Sequence, residues 1–64
     1  MDYVQRLANL REDHDLSQAD IAKLLGYHQT AISKLELRKK KYTAEDIIAL
    51  AKFYKVSADY LLGL

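Results

Sequence analysis

The stretch "SQADIAKLLGYHQTAISKLE", residues 17–36, decides the fold. Ser17 opens it with a hydroxyl suited to a helix N-cap, and Asp20 places a carboxylate three residues later. The apolar residues that follow at helical spacing are Ile21, Leu24 and Leu25. Gly26 is suited to the left-handed position that ends a helix, and a second short helix starts near His28. The stretch therefore predicts two amphipathic helices joined by a short turn.

Two helices at this spacing, with a glycine at the corner, have the layout of a helix-turn-helix unit. Small Ala22 suits the point where the two helices cross closely, and Gly26 suits the turn. The side chains predicted to fill the angle between the helices are Ile21, Leu25, Ile32 and Leu35.

The rest of the chain predicts three more helices. The spacing of apolar residues and caps predicts helix 1 over about 2–13, helix 4 over about 43–54, and a short fifth helix after Ser57. In helix 4, Ile48 and Phe53 are predicted to widen the apolar stripe. Proline is absent and glycine occurs twice, so short connections are favoured. The predicted fold is a compact all-α domain of five helices that occupies residues 1–64.

The composition excludes several classes of protein. There is no cysteine, so a disulfide or a thiolate zinc site is excluded and a reducing, cytoplasmic location is expected. No apolar run is long enough to span a membrane. The acidic run around His14 does not form a metal site, because consecutive side chains diverge. A nucleophile with a supporting base and a glycine-rich phosphate loop are both missing, so no enzyme, cofactor or small-molecule ligand is expected.

A helical wheel of about 100° per residue places one polar face on helix 3, opposite Ile32 and Leu35. The residues predicted to face outward are Thr30, Ser33, Lys34 and Leu37, with Gln29 on the flank of the first turn. Glutamine can pair with adenine, threonine can contact a thymine methyl, and lysine can donate to guanine. A face of this kind predicts a helix that reads base edges, although a merely solvated face has the same composition.

The net charge is only +1, but the charges are unevenly placed. Acidic residues concentrate in the first twenty positions. Four consecutive cations follow helix 3, and these are Arg38, Lys39, Lys40 and Lys41. Such a run can simply be solvated. A cationic loop that lies beside a DNA groove, however, favours binding to phosphate through counterion release.

The stretches "LREDHDLSQADIAKLLGYHQTAISKLE" and "IIALAKFYKVSADYLLG" together resemble the Cro/cI-type helix-turn-helix domains of phage repressors and small bacterial regulators, with a lambda-repressor-like fold. The resemblance covers nearly the whole chain. It implies a phosphate contact by Gln18 and an ion pair between Arg11 and Glu36, which could otherwise be unrelated surface charges. It also implies base contacts by His28, Gln29, Thr30 and Lys34, with Ser33 nearby.

The chain departs from the family pattern after helix 3. The family usually has a glycine at the position of Arg38 and a proline at the position of Thr43. A different path of the 37–42 loop is therefore an open alternative. Leu37 is also unusual, because it is predicted to point outward where polar residues are common.

These features predict a sequence-specific regulator of transcription, a repressor, that binds double-stranded DNA. One such domain reads few base pairs, so we expect a homodimer on a palindromic operator with half-sites about one helical turn apart. The predicted dimer surface is the 55–64 region, with Tyr60, Leu61 and Leu64. The alternative is a protein-interaction or antitoxin-like module of the same fold. The sequence fits a complete small regulator, a fragment of a longer one, or an engineered piece.

Overall fold

The computed structural model describes residues 2–64, and within that range it contains five α-helices and no strand. The helices are α1 (Tyr3–Asp13), α2 (Gln18–Leu25), α3 (Gln29–Glu36), α4 (Ala44–Tyr54) and α5 (Ala58–Leu62). The predicted all-α class with five helices is confirmed. Across residues 2–64, every helix is too short or too polar to cross a membrane.

Four of the helices begin at residues whose side chains cap them. The N-cap side chains of α1, α2, α4 and α5 each accept a hydrogen bond from a backbone N–H three residues on, and they belong to Asp2, Ser17, Thr43 and Ser57. The carboxylates of Asp20 and Asp46 each accept a hydrogen bond from the backbone N–H of the cap residue, which completes a capping box in α2 and in α4. Caps matter here because helices of 5 to 11 residues are marginal on their own.

The core forms where α3 packs into the angle between the other helices. Ile32 and Leu35 have no exposed surface, and Ala22 is 3% exposed where α2 and α3 cross, as the spacing predicted. The buried cluster also draws on the other helices, through Leu7, Ile21, Ile47, Leu50, Ala51, Tyr54 and Leu61. One face of α3 is thereby held by the core, and the opposite face is left at the surface.

Three residues predicted to lie on buried apolar stripes are exposed instead. They are Leu24 in α2 and Ile48 and Phe53 in α4. For Ile48 and Phe53 the prediction was wrong because the apolar stripe of α4 is wider than the surface that covers it. The neighbouring α5 has only five residues, or about 7 Å of helix, and packs along one side of that stripe.

One of the residues predicted to form a dimer surface, Leu61, belongs to the core. Leu61 has no exposed surface, because it faces the core between α1 and α4. Tyr60 lies on another side of α5, where the guanidinium of Arg6 stacks on its ring at 4.8 Å. Leu64 is exposed beyond the helix end. The 55–64 region is therefore partly core, and this part of the prediction is corrected.

The buried Tyr54 predicts a loss of stability at high pH. Burial, with a smaller contribution from Glu36, raises the pKa of this phenol to about 12. The folded state therefore favours the neutral phenol, so its contribution to stability is present below pH 10 and is lost between about pH 10 and 12. We expect the unfolding temperature to fall over that range, and to fall less steeply in Tyr54→Phe. Equal pH slopes for the two proteins would contradict the assignment.

The residue that ends α4 predicts a stabilising substitution. Lys55 has φ 58° and ψ 42°, a left-handed conformation that costs a residue with a Cβ about 1 kcal/mol. We expect Lys55→Gly to raise the free energy of unfolding by about 0.5 to 1 kcal/mol, because glycine adopts this conformation without strain. Urea titration measures the change. Lys55→Ala is the control and should give no such gain.

Candidate nucleic-acid interface

The outer face of α3 presents polar side chains on a rigid base. Gln29, Thr30 and Lys34 are exposed, Ser33 is half-buried, and all four lie within the eight residues of the helix. His28 holds the N-cap position and is exposed, but its side chain makes no capping hydrogen bond. The first turn of α3 thus lacks a side-chain cap, in contrast to the starts of the other helices.

The turn before α3 is fixed at both ends. Gly26 has φ 77°, a left-handed conformation, and the backbone N–H of Tyr27 donates to the carbonyl of Ala22 at 2.8 Å. The hydroxyl of Tyr27 donates to Oδ1 of the buried Asp46 at 2.6 Å. This hydrogen bond is the main cause that raises the pKa of Tyr27. Because Asp46 also caps α4, the turn of the helix-turn-helix unit is joined to the start of α4.

A shallow depression lies beside α3 and is lined by two lysines. Lys34 comes from α3 and Lys40 from the following loop, although six positions separate them in the chain. The ammonium of Lys40 lies 5.2 Å from the centre of the Tyr27 ring, at a distance typical of a cation–π contact. The other residues lining the depression are Gly26, Tyr27, His28, Thr30 and Ala31. The loop thus places a cation next to the predicted reading face.

A network of polar side chains connects α1, α2 and α3. The guanidinium of Arg11 donates to both carboxylate oxygens of Glu36, at 2.7 and 3.1 Å, and to the carbonyl of Leu16 at 2.8 Å. The ion pair is largely removed from solvent, since the side chains are 16% and 12% exposed. The hydrogen bond to Glu36 is also the main cause that raises the pKa of Arg11. The ion pair that the family resemblance implied is present.

Gln18 belongs to the same network. Its side-chain amide donates to Oε1 of Glu36 at 2.9 Å, and the residue is half-buried at the start of α2. A phosphate bound by Gln18 would therefore meet an amide that is already oriented by Glu36. Glu36 is thus the shared partner of Arg11 and Gln18, and it connects the predicted phosphate contact of Gln18 to the ion pair.

The loop after α3 keeps a turn of the kind that glycine would make. Arg38 has φ 64°, a left-handed conformation, although it is an arginine. Its guanidinium pairs with the carboxylate of Asp2 at 2.9 Å, and this pair is exposed. The carboxylate of Asp2 also accepts from the backbone of Gln5, and the two contacts, with Gln5 the larger, lower the pKa of Asp2. Arg38 therefore stands where the family usually has glycine, and it adopts a backbone conformation that glycine favours.

Three more residues of this loop lie at the surface. Lys39 and Lys41 are exposed, and the backbone N–H of Lys39 donates to the carbonyl of Lys34, which holds the loop close to the end of α3. Leu37 is the C-cap residue of α3 and is 62% exposed, so it lies just beyond the helix proper. At the position of the family proline, Thr43 caps α4 instead.

Two contacts of the site were not predicted from the sequence. The first joins Tyr27 to Asp46, and the second joins Gln18 to Glu36. Asp46 and Glu36 already had assigned roles, as a cap and as an ion-pair partner. No local pattern indicates that a carboxylate has a second donor 18 or 19 residues away in the chain. Only the packing of the helices brings these donors within reach.

The fold and the turn define a class of protein. A family model described as "Helix-turn-helix" matches residues 7–61 of the chain. The chain therefore belongs to the helix-turn-helix family.

Two curated relatives of the chain are described as regulators of transcription. The chain is 37% identical over 62 residues to YobD of Bacillus subtilis (strain 168), which is described as an uncharacterized HTH-type transcriptional regulator. It is 36% identical over 63 residues to the HTH-type transcriptional activator BcrR of Enterococcus faecalis. These matches cover 97% and 98% of the chain, but only 55% of YobD and 31% of BcrR. The chain thus spans about half the length of YobD and a third of BcrR.

Solved structures of a transcriptional regulator and of a repressor are also similar to the chain. A transcriptional regulator from Listeria innocua is similar with a TM-score of 0.91 and 27% identity, over 98% of the chain and 59% of that protein. The P22 c2 repressor, in complex with a synthetic operator, is similar with a TM-score of 0.82 and 31% identity, over 97% of the chain and 94% of the repressor. The predicted resemblance to phage repressors, with a lambda-repressor-like fold, is confirmed.

Proposed function

We propose that the chain binds double-stranded DNA in a sequence-specific manner and regulates transcription as a repressor, with α3 in the major groove. The observation that carries the proposal is the polar face of α3, which stands on Ile32 and Leu35 and has the ammonium of Lys40 beside it. A helix of this width fits the major groove, where base edges carry a distinct pattern of donors and acceptors. The similarity to the operator-bound P22 c2 repressor supports the proposal.

The individual contacts are proposed from the positions of the side chains. In this arrangement the first turn of α3 enters the groove most deeply. Base contacts are therefore assigned to the exposed end and outer face of the helix, through His28, Gln29, Thr30, Ser33 and Lys34. Phosphate contacts are assigned to the flanks, through Gln18, Arg38, Lys39, Lys40 and Lys41. For Arg38 this contact requires the guanidinium to exchange Asp2 for a phosphate, which the exposed pair permits at little cost.

The operator is proposed to be palindromic and bound by two copies of the chain. A single α3 presents side chains to only a few base pairs, which is too little to select a site among many competitors. Two copies related by a two-fold axis would read two half-sites about one helical turn apart.

Selection from a random duplex pool tests this proposal. The chain is titrated into labelled duplex, the bound fraction is sequenced, and fluorescence anisotropy measures the affinity of the enriched sites. We expect enrichment of an inverted repeat and a steep decrease in affinity with salt. Enrichment of an asymmetric site would contradict the palindrome. Enrichment of no sequence would contradict the proposed function and favour a module that binds other proteins.

Two substitutions separate base contacts from phosphate contacts. We expect Gln29→Ala to relax base preference at one position of the site, at a cost of about 1 to 3 kcal/mol. We expect Lys40→Ala to weaken binding to all sequences alike and to lower the salt slope by about 1. Affinities for the selected site and its single-base variants, at several salt concentrations, give both quantities. Lys52→Ala, on α4, is the control for the loss of one positive charge.

If Gln29→Ala and Lys40→Ala changed affinity in the same way, the two roles would be wrongly assigned. If Lys52→Ala matched Lys40→Ala, the effect of Lys40 would reflect net charge and not a contact at the interface.

A further inference from the structure

An acidic residue, Asp2, lies among the cations of the loop that follows α3. A depression of about 210 Å³ separates the start of α1 from this loop, and its lining is formed by Asp2, Tyr3, Val4, Arg38, Lys40 and Lys41. The three cations of this lining are residues that we assign to phosphate. A carboxylate in their midst carries the same sign of charge as the DNA backbone, so it opposes the binding for which the loop is suited.

The carboxylate of Asp2 occupies the guanidinium of Arg38 in the way that a phosphate would. Nε of Arg38 donates to Oδ2 at 3.1 Å, and Nη2 donates to both carboxylate oxygens at 2.9 Å. A guanidinium binds carboxylate and phosphate through the same fork of donors. The edge formed by Nε and Nη2 therefore holds one anion at a time, either Asp2 or a phosphate.

Other contacts hold the backbone on both sides of this pair. The backbone N–H of Arg38 donates to the carbonyl of Leu35 at 3.1 Å, and Oδ1 of Asp2 also accepts from the backbone N–H of Gln5 at 2.9 Å, which caps α1. The two side chains of the pair are 53% and 51% exposed, so water and ions reach them. The pair can therefore open while α1 and the loop stay in place.

We propose that Asp2 is an internal competitor of the DNA backbone, which lowers the affinity of the chain for duplex by holding Arg38 until a phosphate displaces it. The proposal rests on the proposed function, because it concerns the phosphate contact that we assign to Arg38. A phosphate contact carries no sequence information. Asp2 therefore lowers affinity for all sequences alike and leaves base preference unchanged.

The salt dependence of binding distinguishes this competition from a general effect of charge. A cation that binds a phosphate releases about one counterion from the duplex. When Arg38 leaves Asp2 for a phosphate, the freed carboxylate attracts a cation from solution, which offsets that release. Without the carboxylate nothing offsets it. Asp2→Asn should therefore steepen the slope of log affinity against log salt by about 1.

Asp2→Asn tests the competition, and Asp59→Asn is the matched control. Both substitutions remove one negative charge near the start of a helix, and asparagine still caps α1. Asp59 is exposed and lines neither of the two depressions beside the loop. Fluorescence anisotropy measures the affinity for a random-sequence duplex and for the selected site. We expect Asp2→Asn to bind both about three- to fivefold more tightly at about 50 mM salt, with little gain left at about 200 mM.

Arg38→Gly shows whether Asp2 acts through Arg38. Arg38 has φ 64°, and glycine adopts this conformation without strain, so the loop keeps its path. In this background Asp2→Asn should give no more gain than Asp59→Asn and should leave the salt slope unchanged. NMR of the carboxyl carbon of Asp2 follows the displacement itself. We expect its chemical shift, on saturation with the random duplex, to move toward the value that it has in Arg38→Gly without DNA.

Several results would overturn the proposal. A lower affinity of Asp2→Asn would mean that Asp2 orients Arg38 for phosphate instead of competing with it. Equal gains in Asp2→Asn and Asp59→Asn, or an unchanged carboxyl shift on the duplex, would mean that no exchange takes place.

The random duplex separates this test from that of the proposed function. If selection enriched no sequence but Asp2→Asn still bound the random duplex more tightly and with a steeper salt slope, the competition would stand and sequence-specific binding would fail. If the chain bound no duplex even at low salt, both proposals would fail.

Discussion

Glu36→Gln is expected to destabilise the fold by about 2 to 3 kcal/mol, because it leaves the largely buried guanidinium of Arg11 without a counter-charge. A domain of this length has a total stability of about 3 to 10 kcal/mol, so the loss is a large fraction. It corresponds to a decrease in unfolding temperature of roughly 10 to 20 °C. Thermal unfolding followed by circular dichroism, together with urea titration, measures the effect.

Asp2→Asn is the matched control. It also replaces a carboxylate of an ion pair by an amide, but the pair between Asp2 and Arg38 is exposed, and asparagine still caps α1. We expect a loss below about 1 kcal/mol. Similar losses in the two variants would mean that burial of the ion pair between Arg11 and Glu36 contributes nothing.

Glu36→Gln should also lower the affinity for DNA. Oε1 of Glu36 accepts from the amide of Gln18, which we assign to phosphate. At a temperature where Glu36→Gln is still folded, we expect its DNA affinity to fall alike for all sequences, because a misplaced phosphate contact carries no base preference. A change in base preference would instead mean that α3 itself has shifted.

The parts of the fold that sequence predicted well are those with short-range causes. The capping box of Ser17 and Asp20 and the turn at Gly26 depend on residues within three or four positions of each other, so the sequence displays them directly. The buried face of α3 follows from helical spacing alone, and Ile32 and Leu35 are buried as predicted. The five helices could therefore be placed before any contact between them was known.

The parts that sequence did not predict depend on how the helices pack. Periodicity places Ile48 and Leu61 on apolar stripes, but it does not say how much of each stripe a neighbour covers. The structure exposes Ile48 and buries Leu61, which reverses their expected roles. The hydrogen bond between Tyr27 and Asp46 was not predicted for a related reason. Asp46 already has a local role in the capping box of α4, so its sequence context does not indicate a distant second donor.

Asp46→Ala is expected to cost about 2 to 3 kcal/mol of stability, because one carboxylate has two roles. Oδ2 accepts from the backbone N–H of Thr43, and Oδ1 accepts from the hydroxyl of Tyr27. Alanine would remove the acceptor of the Thr43 N–H from the capping box of α4 and leave the Tyr27 hydroxyl without its partner. Urea titration measures the loss. DNA affinity should fall as well, because Tyr27 belongs to the turn that positions α3.

Two comparisons isolate the contribution of Tyr27. Asp20→Ala removes the equivalent residue of the capping box of α2, where the carboxylate is exposed and bonds only its own cap residue, so we expect a smaller loss of about 0.5 to 1 kcal/mol. Tyr27→Phe deletes the hydroxyl but keeps the ring beneath Lys40, and we expect about 1 kcal/mol. If the hydrogen bond couples the turn to α4, Tyr27→Phe combined with Asp46→Ala should cost less than the sum of the two, by about 1 kcal/mol. Strictly additive losses would mean that Tyr27 and Asp46 act independently, and the turn would then be held by its backbone contacts alone.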